Sequence, residues 1–259
     1  MKDESTDFGP VAQEATGPEM GHDSESAGDK ALVQQYVRFT FYRLDPAWRR
    51  LPPEERGRQK AELAALVAGT QEGGALLESY SMVGTRGDSD FMLWHASPHL
   101  EDMYDLAGAI NHTAMSGYLS IAQSFLSVTK RSQYVGGHRH ADQPDARLEV
   151  RMGERKYLVV YPFVKTRPWY KLTQGARQGM MVEHIRIGHK YPEIRIHTTY
   201  SYGLDDQEFT LAFDADEPFD FVDLMMELRL SEASAYTLRD TPSFTCRHMP
   251  IGEALDLLG

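Results

Sequence analysis

Three residues in the second half of the chain have the types and spacing for chemistry. Tyr161 and Lys165 fall in the run 156–166, whose apolar alternation predicts a strand. Alternation puts Tyr157, Val159, Tyr161, Phe163 and Lys165 on one face, with Leu158, Val160 and Val164 on the other. A lysine so placed can hold a carboxylate as a point charge. A tyrosine can give a hydrogen bond, a proton or, to a strong oxidant, an electron. The same pair would also serve packing, as a snorkelling lysine and a buried ring. The third residue is His184, in the helical stretch 171–188. Met180 and Met181 lie one turn before it, and Ile187 and Gly188 one turn after. An imidazole on such a face is either a satisfied core histidine or an axial ligand for a flat, apolar macrocycle such as haem.

Other groups carry less. His138-Arg139-His140 has a spacing that could suit a metal, but it sits among Gly136, Gly137 and Pro144 and reads as a solvated loop. Cys246 is the only cysteine, which excludes an internal disulfide framework and any multi-cysteine zinc or iron–sulfur site. It has no patterned partner and reads as an inert thiol. The chain has no G-x-G-x-x-G, Walker A, H-E-x-x-H or G-x-S-x-G motif.

The elements that must position these residues show a weak internal repeat. Thr40 to Leu51 and Tyr161 to Leu172 are both strand-like segments running into a Pro-and-Trp corner, followed by a helix-like stretch. Tyr80-Ser81-Met82 before Asp90 to Trp94 is echoed by Tyr200-Ser201-Tyr202 before Glu208 to Phe213. Ser124 to Val128 is echoed by Ser234 to Leu238. Three matches in one order predict a duplicated unit of strand, helix, strand, strand, helix, strand. That order is the ferredoxin-like split βαβ. The expected fold is therefore α+β: tandem ferredoxin-like repeats whose antiparallel sheets form a dimeric α/β-barrel-like subunit. The expected divisions are 31–134 for the first half, 135–155 for a connector and 156–259 for the second half carrying the site. In the second half, strands are expected near 156–166, 193–202, 207–214 and 235–240, and helices near 171–188 and 217–233. Asp216 with Pro218 is a candidate N-cap and first-turn pair, and Val222, Met225, Met226 and Leu230 keep helical spacing.

Residues 1–30 stand apart, with eight acidic and two basic residues, −6 of the chain's −11. They read as a disordered acidic tail. Across 259 residues, 41% hydrophobic and 25% charged content are ordinary for a globular protein. The acidic balance argues against a nucleic-acid partner. No apolar run is long enough to span a membrane, and the acidic N-terminus is not a secretory signal. A cytoplasmic setting is the expectation.

Tyr161-Pro162-Phe163-Val164-Lys165 through Trp169-Tyr170 resembles the catalytic-tyrosine strand of coproheme decarboxylases, in the chlorite dismutase-like superfamily. The resemblance runs on through Met180 to His189 and Ser201 to Phe209, and ends near Tyr236 to Pro242. The first half matches weakly, mostly through Ser124 to Tyr134, and residues 1–30 do not match. The resemblance implies two ferredoxin-like halves and a homopentamer. It makes His184 the proximal iron ligand and Tyr161 the tyrosine that becomes a radical. It places Lys165, Arg147 and Tyr134 at the substrate's propionates. The implied reaction takes iron coproporphyrin III and hydrogen peroxide to haem b, removing carbon dioxide from two propionates in turn. Transient contact with ferrochelatase is implied as the source of substrate.

One position departs from the pattern. Thirteen residues after the proximal histidine the family commonly has Gln, and its chlorite-degrading branch Arg. Here His197 stands there, with Arg195 two residues before it. A distal His197 would be the base for peroxide; an outward-facing strand residue is the other reading. Chlorite dismutation is the first rival activity, and Tyr161 speaks against it. The second rival is a haem-binding protein without turnover, which His184 would serve equally.

Overall fold

The computed structural model describes residues 33–134 and 150–259. The acidic tail 1–30, most of the expected connector, and with them Arg147, His138 and His140 lie outside the described residues.

The first half runs β1 (Tyr36–Leu44), α1 (Pro53–Glu72), β2 (Leu76–Ser81), β3 (Phe91–Ser97), α2 (Glu101–Asn111) and β4 (Leu119–Val128). The second runs β5 (Tyr157–Lys165), α3 (Arg167–Lys171), α4 (Gln174–Gly188), β6 (Arg195–Tyr200), β7 (Phe209–Ala215), α5 (Pro218–Leu230) and β8 (Thr237–Arg239). The chain then adds β9 (Phe244–His248) and α6 (Ile251–Asp256). Strand order is β4-β1-β3-β2 in the first half and β8-β5-β7-β6 in the second, the same ferredoxin-like arrangement twice.

The two sheets join edge to edge. Val128 bridges to Tyr200 between β4 and β6. β9 pairs with β2 on one side and with β5 on the other. Since β5 also pairs with β7, the ladder closes on itself as a barrel, which leaves no free edge among those strands.

Strand alternation sorts side chains into layers. Inside the barrel lie Val37, Phe39, Phe41, Tyr80, Met92, Trp94, Leu158, Val160, Ala212 and Phe244. Cys246 is buried there too, and burial pushes its thiol pKa up, so it is inert as expected. The outer face of the first half packs against α1, α2 and α6. The outer face of the second half, with Val159, Tyr161 and Phe213, packs against α4 and α5 through Ile187, Leu224 and Leu228.

Several expectations are corrected. The helix expected over 171–188 is α4 and begins three residues later, because Leu172 and Thr173 are extended; Thr173 Oγ1 caps it by accepting from Ala176 N at 3.3 Å. Asp216 does not cap α5. That place belongs to Glu217, while Asp216 accepts from Lys156 N at 3.0 Å and pairs with Arg155 at 2.7 Å. The expected strand 235–240 is shorter, preceded by a 3-10 turn over Glu232–Tyr236. Pro242, with no N–H to give the ladder, sits where β8 stops and before β9 begins.

Candidate active site

Tyr161 is carried by β5 on the face turned toward the helices, and is 4% exposed. Its ring stacks on Phe213 with centroids 5.6 Å apart. Its hydroxyl has one partner, the Met225 sulfur at 3.6 Å, which is a weak acceptor. Burial pushes the phenol's pKa up; Asp240 adds to the effect and Arg229 opposes it. The Arg229–Asp240 ion pair therefore borders the tyrosine.

His184 projects from α4 one turn before Ile187, which packs in the same cluster as Tyr161. Burial, then the charge of Lys165, lower its pKa to about 4, and Glu183 opposes them. The imidazole is neutral at pH 7 and has no hydrogen-bond partner among the described residues. That is the state an axial ligand needs.

Lys165 ends β5. It is 9% exposed, and its Nζ donates to Ala233 O at 2.8 Å. The ammonium lies 4.6 Å from the Trp169 ring centroid and 5.1 Å from that of Phe163. Burial brings its pKa down to about 8, against the pull of Glu208. At neutral pH it is still mostly charged, and two of its three N–H donors remain for an anion.

Tyr134 completes the wall beside α4. Its carbonyl accepts from Gln178 Nε2 at 3.0 Å, and its ring meets Trp169 edge-on at 6.4 Å. Arg147 lies outside the described residues. The structure thus brings Tyr161, His184, Lys165 and Tyr134 to the helical side of the second half.

His197 is not with them. It pairs with Ala212, on the barrel-interior face of β6. Its Nε2 lies 3.1 Å from Asp214 Oδ2, and its ring meets Trp94 edge-on at 5.1 Å. Arg195 shares that face and pairs with Glu154. The site-facing residues of β6 are Ile196 and Thr198, paired with Phe213 and Leu211. The expected distal base is therefore corrected: His197 is a core histidine held by a buried carboxylate. A one-residue change of register turns a strand over, and the short run between His184 and Ser201 hides which residue faces out.

Glu208 was not singled out from sequence, though it lies in the quoted Ser201 to Phe209 motif. Its Oε2 accepts from Lys165 N at 2.7 Å and from the Tyr170 hydroxyl at 2.5 Å. It fixes the end of β5 that carries Lys165. A lone Glu before an aromatic residue gives no spacing signal for this role.

The chlorite dismutase family pattern matches residues 56–249. A coproheme decarboxylase from Mycolicibacterium smegmatis is 30% identical over 221 residues, 82% of this chain and 88% of that protein. One from Staphylococcus carnosus is 29% identical over 248 residues, 89% of this chain and 98% of that protein. Among solved structures, a mutant chlorite dismutase from Candidatus Nitrospira defluvii superposes with a TM-score of 0.77 at 27% identity, covering 86% of this chain and 94% of its own. With the closed barrel, the doubled strand order and the histidine-bearing helical face, these matches place the chain in the chlorite dismutase family.

Proposed function

We propose that the chain is a coproheme decarboxylase, converting iron coproporphyrin III to haem b with hydrogen peroxide. The observation that carries this reading is His184: neutral, without a hydrogen-bond partner among the described residues, and set one turn from the residue that packs against Tyr161. The two named relatives support the substrate. Bound iron porphyrin and peroxide supply the oxidising power, as porphyrin cofactors do. For each propionate, peroxide and one proton are consumed and carbon dioxide and two waters leave, so a CH2–CH2–COO⁻ arm becomes a vinyl group.

The chain's residues have distinct tasks in this scheme. His184 holds the iron from the α4 side. Lys165, with Arg147 and Tyr134, opposes the propionate charges. Tyr161, packed between Phe213 and Met225, is the group that exchanges an electron and takes a hydrogen atom from the propionate arm. On that side of β6, Ile196 and Thr198 carry no ionisable group. The assembly that goes with this reading is a cytoplasmic homopentamer supplied by ferrochelatase. No helix among the described residues is long and apolar enough to cross a membrane.

Chlorite dismutation is the second reading, favoured by the names of the solved relatives. It calls for a distal arginine, and the β6 arginine instead pairs with Glu154 away from Tyr161. Titration of the protein with iron coproporphyrin III and peroxide, followed by chromatography of the tetrapyrroles, tests the proposal. Haem b arising through a singly decarboxylated intermediate is expected. Bleached or unchanged coproheme would overturn it. Oxygen release from chlorite would then support the second reading, and neither activity would leave haem binding alone.

A further inference from the structure

A chain of aromatic contacts leads from Tyr161 to the surface. Phe163 lies two residues on along the same face of β5, about 7 Å away at strand spacing. Its ring centroid is 6.1 Å from that of Phe209, which is 5.1 Å from that of Tyr202. Tyr202 and Tyr170 are 6.2 Å apart by ring centroid, and their hydroxyls share a 2.7 Å hydrogen bond. Tyr202 is 48% exposed. At the end of this path sits the Glu208 carboxylate, 2.5 Å from the Tyr170 hydroxyl.

We propose that Tyr170 and Tyr202, with Glu208 as proton acceptor, form an outlet for oxidising equivalents that Tyr161 does not spend on substrate. The inference rests on the iron-porphyrin reading above. In the step, a peroxide-oxidised iron porphyrin is reduced by one electron drawn from Tyr170. The phenolic proton passes along the existing hydrogen bond to Glu208, leaving a neutral tyrosyl radical and a protonated carboxyl. Phe163 and Phe209 are not oxidised; they fill the gap between the phenols. Hydrogen exchange across the 2.7 Å contact moves the radical to Tyr202, where an exogenous one-electron reductant can quench it.

The contrast with Tyr161 is chemical. A tyrosine that loses an electron must shed its proton to form a stable neutral radical. Among the described residues the Tyr161 hydroxyl meets a thioether, whereas that of Tyr170 meets a carboxylate. Burial and the Glu208 hydrogen bond push the Tyr170 pKa up, and burial raises that of Tyr202 to about 12. Both phenols therefore hold their protons at neutral pH, so proton transfer must accompany oxidation.

The test uses the full chain with Tyr161→Phe, loaded with haem b and mixed with peroxide. Freeze-quench electron paramagnetic resonance is recorded with and without ring-deuterated tyrosine. A tyrosyl signal that narrows on deuteration is expected. It should vanish when Tyr170→Phe and Tyr202→Phe are added, and weaken with Glu208→Gln. Dityrosine-linked dimers should form and be lost with Tyr202→Phe alone. A Soret band without a tyrosyl signal, or a signal indifferent to these substitutions, would overturn the outlet and leave the haem reading standing. Absence of a Soret band would overturn both.

Discussion

Replacing Lys165 by Met separates the cost of a buried charge from its use. The substitution keeps an unbranched apolar stem and removes the ammonium. The pKa falls from 10.5 in an exposed chain to about 8 here, so at pH 7 the folded state is penalised by about 3 kcal/mol for keeping the charge. The two ring contacts return about 1–2 kcal/mol. Losing the bond to the Ala233 carbonyl costs about 1 kcal/mol. The ligand-free Lys165→Met protein should therefore be as stable as the parent, or up to about 1 kcal/mol more stable. The sign of the pH dependence is set by the lowered pKa. Below about pH 8 both states carry the proton and the full penalty applies. As pH rises from there toward 10.5, the folded parent deprotonates first and the penalty fades. Between pH 7 and pH 9.5 the parent should gain about 2 kcal/mol on the variant. Urea unfolding of both proteins at the two pH values, with unchanged m-values, measures this. Affinity for iron coproporphyrin III, followed at the Soret band, should fall about tenfold to a hundredfold from the lost charged contact. A Met variant less stable by several kcal/mol at pH 7, with no pH dependence and unchanged affinity, would refute the reasoning and make Lys165 a structural tie to Ala233.

Four further predictions follow from the same geometry. In the ligand-free protein the His184 ring should titrate below pH 5 by NMR, because burial and Lys165 hold it near 4; a midpoint near 6.5 would remove the preorganised ligand. As the folded state binds this proton less readily, its contribution to stability is lost as pH falls from 6.5 toward 4. His184→Ala should abolish the Soret shift on adding coproheme. Tyr161→Phe should bind coproheme with near-parental affinity and stall decarboxylation; near-normal product would sink its radical role. His197→Ala should cost about 2–4 kcal/mol in urea unfolding, since it strands the fully buried Asp214 carboxylate. Its pH profile for peroxide consumption should not move; a profile that does move would return His197 to the reacting side.

The residues that were legible in sequence are those whose signal is periodic. The alternation in 156–166 put Tyr161 and Lys165 on one face of the strand; Tyr161 is found on the helix-facing side of β5, and Lys165, past a shift of register after Val164, lies against the Trp169 ring. The first two echoes fall on corresponding strands: Thr40 on β1 and Tyr161 on β5, Tyr80 on β2 and Tyr200 on β6, Trp94 on β3 and Phe213 on β7; the third does not, since Ser124 to Val128 ends β4 while Ser234 to Tyr236 is the 3-10 turn before β8. What was not legible depends on partners distant in sequence. The face of His197 is set by its pairing with Ala212 across the β6–β7 ladder, and a slip of one residue reverses it. The break at Leu172 and Thr173 has no proline or glycine to announce it. β9 lies beyond the last expected strand, and its place between β2 and β5 is fixed by pairing alone.

That last segment also distinguishes the two halves of the duplicated fold. In the first half, the outer sheet face is covered by Trp48, Leu63, Val67, Ile110 and Met115, all buried. The chain's end comes back to finish the cover: Ile251, Leu255 and Leu258 join the same cluster, Lys60 pairs with Asp256, and Arg49 Nε donates to Leu258 O at 2.9 Å. The second half has no seventh element to receive. Among the described residues its outer face is met by α4 and α5, and α4 brings Gly179, Met180, Met181 and His184 where the first half brings packed aliphatic side chains. The strand order is common to both halves, so it cannot by itself decide which one takes a ligand. The helical cover differs between the halves, and the route of the last sixteen residues from β9 through α6 commits α6 to the first.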